Sequence, residues 1–355
     1  MPERTPRHVQ EPEVSLVHPD RRERMRPSGN VLIFKGQGFV QPGIGHDLWL
    51  ASDDVKKLYA VADRILKRPI STISFEDPSG NLLQTQNAQP ATVTYNEARR
   101  LEGIKSGDTN FTGPIIFAAG NSLGEYNALI ASGAFTFEET LELIRLRAQY
   151  MQEAQNENPG TLFMPRLSKK PEERVKQLQV VSEYSEKSGI KLCLINTHNQ
   201  FVYGGTYADI DAAEEVLGNE GIKFTRLNTD GAFHHPVYMR EAAEKLAPAI
   251  DRANIQDARI PIIANASAKP VQKASEIKEL LKQQMITPVR WLESMEFLIE
   301  HGFDAKIEIG EKPTFLNMLK DHPVFVSAGI GAATAITVGG VVIGHKLDHP
   351  HGKNK

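Results

Sequence analysis

The stretch Gly120-Asn121-Ser122-Leu123-Gly124-Glu125 constrains this chain more than any other, because it sets a serine between two glycines directly after an apolar run. Pro114 to Ala119 (PIIFAA) reads as a buried strand and Leu123 to Ala131 as a helix, so Ser122 falls on a tight strand-to-helix turn. Such a turn needs small neighbours and lifts the hydroxyl clear of the backbone. The helix behind it offers unpaired N–H groups and a partial positive charge where an oxyanion would form. The expected geometry is a nucleophile elbow, and the expected chemistry is acyl transfer or hydrolysis. A glycine-flanked turn with no chemistry fits the same pattern and has to be excluded by other residues.

The 355 residues, 40% hydrophobic and 24% charged, suffice for one large domain or a core with a smaller insertion. A net charge of −3 leaves no broad nucleic-acid footprint. The one cysteine, Cys193, excludes an intramolecular disulfide and fits a reducing, cytoplasmic compartment. It sits in the apolar run Lys191 to Ile195 and reads as core filler rather than nucleophile. Metal-ligand spacing is absent from the body of the chain, and His349-Pro350-His351 reads as polar tail, so no metal is expected.

Residues 1–30 hold five prolines, six arginines and five acidic residues, too little apolar surface to order themselves, and read as a disordered leader. They lack the apolar core of a secretory signal, and their acids argue against a mitochondrial presequence. Val324 to Gly344 runs 21 residues without a charge and ends in Gly340-Val341-Val342-Ile343-Gly344, a G-x-x-x-G. Its five glycines weaken a spanning helix, so membrane contact through 324–344 and a buried or interfacial segment both stand within a tail of residues 321–355.

Between these ends the elements fall in a definite order. Val31 to Phe34 is a short buried strand running into the glycine turn Gly36-Gln37-Gly38, and Val55 to Leu66 is a helix. Thr136 and Glu139 form a capping box for a helix reaching Ala154, with Leu141, Ile144, Ala148 and Met151 inward. Arg147 shares that inward face, whereas Arg145 does not. An arginine so placed snorkels, joins a structural ion pair, or binds a carboxylate bidentately.

Residues 159–228 then read as β-α-β-β-α-β, the order of a ferredoxin-like module. Its second helix, capped by Thr206 and Asp209, is expected to bury Ile210, Ala213, Val216 and Leu217. Gly231 to Pro236 is a turn before a helix from Val237 to Ile250, and Pro261 to Ala264 and Ala305 to Ile309 are further strands. The fold class expected is α/β: a hydrolase-like core with a central parallel sheet and the elbow, from residues 31–158 and 229–320, with the small module inserted.

Serine chemistry needs a base within hydrogen-bond reach. Of eleven histidines, His8 and His18 lie in the leader and His322, His345, His349 and His351 at or beyond the tail. That leaves His234 and His235 at the helix entrance, with His46, His198 and His301 as competitors.

Taken together, these elements resemble the malonyl-CoA:acyl carrier protein transacylases and related acyltransferase domains of fatty-acid and polyketide synthesis, from about Val31 to Leu319. Gly36-Gln37-Gly38 with Pro42 to Gly45 resembles the family's GQGSQ-x-PGMG opening, and Thr85 with Ala88 to Ala91 its T-x-x-AQPA segment. Gly120 to Tyr126 resembles GHSLGEY, and Arg147 with Met151 to Ala154 the arginine helix ending in MQEA. Ala232-Phe233-His234 resembles the AFH of malonyl-selective members, and Gln284 with Pro288, Val289 and Trp291 resembles QL-x-NPV-x-W.

The resemblance implies a ping-pong transfer from malonyl-CoA to an acyl carrier protein. Coenzyme A thioester enters as substrate and no cofactor is bound. It implies Ser122 as nucleophile, His234 as base, and a backbone carbonyl near Gln284 orienting the imidazole. It further implies the N–H groups of Leu123 and Val40 as oxyanion hole, and Arg147, with Gln37 and Asn121 beside it, as the acyl-binding set. The chain departs from the pattern at Asn121, usually histidine, and at Phe39-Val40, where the family has serine and glutamine. Lys35 replaces a usual proline, and Gly310-Glu311-Lys312 a glycine-proline-glycine turn. One extra residue between Phe233 and Met239 keeps His235 open as the alternative base. The departures keep two rivals open as well: a hydrolase of acyl thioesters, and a non-catalytic acyltransferase-like subunit tethered to a membrane.

Overall fold

Every residue from Val31 to Phe34 is apolar, as a strand covered on both faces requires. It becomes β1 (Asn30–Phe34), fully buried, with parallel neighbours on both sides: β2 (Ile115–Gly120) and β9 (Ala305–Ile309). Beyond β2 lie β7 (Ile262–Ile263), also parallel, and the short antiparallel edge β8 (Pro270–Val271). Alternation along β1 sorts its side chains between two layers. Leu32 and Phe34 join the larger core, whereas Val31 and Ile33 pack with Trp291, Met295 and Leu298 of α12 (Trp291–His301). The computed structural model describes residues 29–301, 305–309, 314, 333–338 and 341–346. Of the expected leader only Gly29 and Asn30 are among the described residues; both are buried, and Asn30 already belongs to β1.

The crossover from β1 to β2 contains α1 (His46–Ala51), α2 (Asp53–Leu66), α3 (Ile70–Phe75), α4 (Thr85–Lys105) and α5 (Thr109–Thr112). Helix α4 runs through the middle of the core, and its polar residues Thr85, Asn87, Gln89, Thr92, Thr94, Asn96 and Glu97 are all buried. Interior amides need partners. Asn96 Nδ2 donates to the Lys35 carbonyl (3.0 Å) and to Asn127 Oδ1 (3.0 Å). Pro90 inside this helix has no N–H for the Gln86 carbonyl, which instead accepts from Arg68 Nη1 at 3.3 Å.

After β2 come α6 (Gly124–Ala131) and α7 (Phe137–Glu157), the latter capped by the Thr136 hydroxyl accepting from Glu139 N–H. The next unit is β3 (Gly160–Pro165), α8 (Pro171–Lys187), β4 (Lys191–Thr197), β5 (Gln200–Thr206), α9 (Tyr207–Asn219) and β6 (Phe224–Arg226). Its strands form a separate antiparallel sheet in the order β4-β5-β3-β6, with Phe163, Leu178, Val181, Tyr203, Ile210 and Leu217 beneath. Both halves of the Thr206–Asp209 capping box form. Val216, expected inside, is 44% exposed: the buried stripe of α9 is Ile210, Ala213 and Leu217, and position 216 falls past its edge. Cys193 is buried, as expected of core filler. Two backbone bonds stitch this sheet to the rest, Ile195 N–H to the Val289 carbonyl and Val289 N–H to the Cys193 carbonyl, both 2.9 Å.

The chain returns through α10 (Arg240–Arg252), three residues later than expected because His235 to Met239 form a turn, and through α11 (Ala274–Gln284). In the tail, β10 (Ala333–Val338) and β11 (Val341–Lys346) pair as an antiparallel hairpin. The helix expected of a membrane-crossing 324–344 is thus replaced by strands where that segment is described, and the rest of it lies outside the described residues. Among the described residues no helix is long and apolar enough to cross a membrane.

Candidate active site

Gly120 and Gly124 are dictated by close approach. A Cβ on Gly120 would strike the backbone of Gly124, and one on Gly124 would strike the Phe34 carbonyl oxygen. Between them Ser122 takes φ 50°, the left-handed region, at a cost of about 1 kcal/mol or more. Asn265 holds this turn: its Oδ1 accepts from Ser122 N–H (2.6 Å) and its Nδ2 donates to the Gly120 carbonyl (2.7 Å). The neighbouring N–H groups of Leu123 and Val40 are taken by no protein acceptor among the described residues.

Ser122 Oγ lies 2.6 Å from His234 Nε2, and His234 Nδ1 lies 2.8 Å from the Gln284 carbonyl oxygen. A carbonyl only accepts, so it fixes the proton on Nδ1 and leaves Nε2 free to accept from the serine. Burial drives the His234 pKa down to about 4, and the charge of Arg147 adds to this against the pull of the Gln284 carbonyl. The ring is therefore a neutral base at neutral pH.

His235 faces elsewhere. Its Nε2 pairs with the Gly189 carbonyl (2.9 Å), its Nδ1 accepts from Val237 and Tyr238 N–H, and its ring stacks on Tyr238. Both of its nitrogens are occupied by backbone groups, and it is His234 that meets the serine. Among the remaining competitors, His198 pairs with Glu296 and His301 bonds the Phe297 carbonyl.

Ser122 and His234 open into a cavity of about 530 Å³ that Gln37, Val40, Asn121 and Arg147 also line. Arg147 neither snorkels nor forms an ion pair among the described residues. It is 1% exposed, and its Nη1 and Nη2 donate to Gln89 Oε1 (2.7 Å) and Gln284 Oε1 (3.2 Å). Its Nε and the Asn121 Nδ2 are buried donors with no partner among the described residues. A guanidinium hydrogen-bonded to neutral amides, lying over the Tyr126 ring and lining a cavity, suits an incoming anion. Gln37 Nε2 donates to Thr85 Oγ1 at 3.1 Å. Among the described residues no cluster could hold a metal ion.

Three residues of the site were given no role from the sequence: Asn265, which falls in no motif, and Gln89 and the buried acid Glu125, which lie inside the matched Ala88–Ala91 and Gly120–Tyr126 segments. Glu125 accepts from Gln284 Nε2 (2.7 Å) and Asn265 N–H (3.3 Å). Burial raises its pKa to about 7 against those bonds and the charge of Arg147.

The two buried imidazoles make acid stability a test of this geometry. Both have pKa values near 4 folded against 6.5 unperturbed, so the unfolded chain binds protons that the folded chain refuses. The contribution of the two rings is full above pH 6.5 and falls as pH drops toward 4, by about 1.4 kcal/mol per pH unit of depression for each ring, while Glu125, raised to about 7, works the other way and offsets part of that fall. Urea midpoints should therefore decline between those limits in wild type and decline less in His235→Asn. A decline from pH 7 to pH 5 as steep in His235→Asn as in wild type contradicts the burial of that ring.

The family model for the acyl transferase domain matches residues 31–334. The malonyl CoA-acyl carrier protein transacylase of Bacillus subtilis strain 168 is 34% identical over 290 residues, 81% of this chain and 88% of that protein. A crystal structure of the transacylase of that name from Burkholderia pseudomallei aligns with TM-score 0.71 and 31% identity, covering 82% of this chain and 96% of that one. A malonyl-transacylase solved in complex with a type II PKS acyl-carrier protein aligns at TM-score 0.73 and 27% identity, over 82% and 92% of the two chains. With the serine turn, its histidine, the four-stranded sheet and all of the five-stranded sheet but Asn30 inside the matched span, the chain belongs to the acyl transferase domain family.

Proposed function

We propose that this enzyme moves a malonyl group from coenzyme A to the phosphopantetheine thiol of an acyl carrier protein through an acyl-serine. The observation that carries the reading is Ser122 Oγ at 2.6 Å from a neutral, buried imidazole, in a cavity that the Arg147 guanidinium also lines. Three of the similar proteins carry malonyl transfer in their names, and one of them was solved with its carrier protein.

In the first half-reaction His234 Nε2 takes the Ser122 proton as Oγ adds to the thioester carbonyl. The N–H groups of Leu123 and Val40 stabilise the oxyanion. Collapse expels the coenzyme A thiolate, which receives the proton from His234. In the second half-reaction the phosphopantetheine thiol gives His234 its proton, attacks the acyl-serine, and Ser122 leaves with that proton. Arg147 pairs with the free malonyl carboxylate, while Gln37 and Asn121 contact the acyl group. No triad acid is needed, because the Gln284 carbonyl sets the imidazole tautomer.

In this reading residues 31–158 and 229–320 form a hydrolase-like core and 159–228 a ferredoxin-like subdomain, whose strand order β4-β5-β3-β6 supports the comparison. The lone cysteine suits the cytoplasm, and the acceptor belongs to fatty-acid or polyketide synthesis.

Intact-mass measurement after malonyl-CoA treatment tests the reading. The protein should gain one malonyl group and discharge it when phosphopantetheinylated carrier protein is added. No mass gain overturns acyl transfer. Discharge to water at the same rate without carrier makes the enzyme a hydrolase.

A further inference from the structure

Gln284 makes four contacts that matter to the reaction. Its carbonyl oxygen holds His234 Nδ1 and its Oε1 accepts from Arg147, while its Nε2 donates both to the Ser122 carbonyl (2.9 Å) and to Glu125 Oε2 (2.7 Å). A glutamine amide can turn over and exchange its oxygen for its nitrogen. Here the neighbours choose the orientation, since the guanidinium only donates and the Ser122 carbonyl only accepts. The fourth neighbour is Glu125, 2% exposed, at the start of α6. Its other oxygen is pinned by Asn265 N–H, the same residue that clamps the serine turn.

We infer that Glu125 is a positioning residue that sets acyl selectivity: by holding Gln284 Nε2 it keeps Gln284 Oε1 on Arg147, and so keeps the guanidinium aimed at the malonyl carboxylate. A glutamine at position 125 has the same shape but no charge and can turn its own N–H toward Gln284, which weakens the hold on Nε2 and leaves only the guanidinium and the Ser122 carbonyl to orient the Gln284 amide. With the amide reversed, Nε2 would confront the guanidinium, two donors would meet, and the arginine would lose its aim. The inference rests on the malonyl reading above.

The test compares malonyl-CoA and acetyl-CoA as donors to one carrier protein, for wild type, Glu125→Gln, Arg147→Ala and the double variant. In Glu125→Gln the malonyl-to-acetyl ratio of kcat/KM should fall by about tenfold, with most of the malonyl loss in KM. In the Arg147→Ala background the same change should leave the ratio where Arg147→Ala alone put it, because the arm through which Glu125 acts is gone. A purely structural acid would lower both donors equally and lower the urea midpoint with them. An unchanged ratio in Glu125→Gln, or a further shift of the ratio in the double variant, overturns the inference.

Should Glu125→Gln not fold, Glu125→Asp carries the same comparison, since it withdraws the acid from Gln284 by one methylene. An unchanged ratio there is equally fatal. Wild-type protein that takes up no malonyl group would instead remove the malonyl reading, and this inference with it.

Discussion

Ser122→Ala is expected to take up no acyl group from malonyl-CoA and to lose transfer by on the order of 10⁵-fold. The size follows from what is removed. Without Oγ no covalent intermediate forms, and any residual reaction is direct attack by the carrier thiol within a site that still binds both partners. His234→Ala should behave differently in degree: the serine remains but must lose its proton to water, a loss of about 10²- to 10⁴-fold. That difference separates nucleophile from base. The 2.6 Å contact between the two also predicts that their losses will not add in the double variant, because each needs the other to act. Intact mass and single-turnover transfer read both. A Ser122→Ala protein that still becomes acylated would place the nucleophile elsewhere.

The second large effect is expected from Arg147→Ala, which should weaken malonyl transfer by about 3 kcal/mol, on the order of a hundredfold, while sparing or improving acetyl transfer. The arginine is 1% exposed, bonded to two neutral glutamine oxygens and in direct ion pairing with no acid among the described residues, so an incoming carboxylate can pair with it directly. A malonyl carboxylate provides that compensation and an acetyl methyl does not. Removing the guanidinium therefore costs one substrate its partner and gives the other a less polar wall. Equal losses for the two donors would make Arg147 a structural residue.

Much of this was legible before any coordinates. The glycine spacing around Ser122 after an apolar run points to the turn, because only glycines tolerate backbone at the distances found at positions 120 and 124. Helix α9 and its cap were legible for a similar local reason. Helix α4 was not. It is buried nearly all round and lined with amides, so it shows no apolar stripe to read, and Pro90 argues against a helix on its face. Asn265 was invisible for another reason: it meets Ser122 across 143 residues, and nothing in its own neighbourhood announces the contact. Gln284 was marked by the motif it sits in, but its side-chain bond to Glu125, across 159 residues, is one that only the folded chain creates. Periodicity and spacing report local structure, whereas polar networks inside a core are written in distant pairs.

The backbone stitch between Val289 and β4 has a mechanical consequence. Val289 lies five residues past Gln284 on the same return segment, so the small sheet is geared to the carbonyl that steadies the imidazole. A hinge-like widening of the cleft would strain those two bonds and tilt the His234 ring together with them.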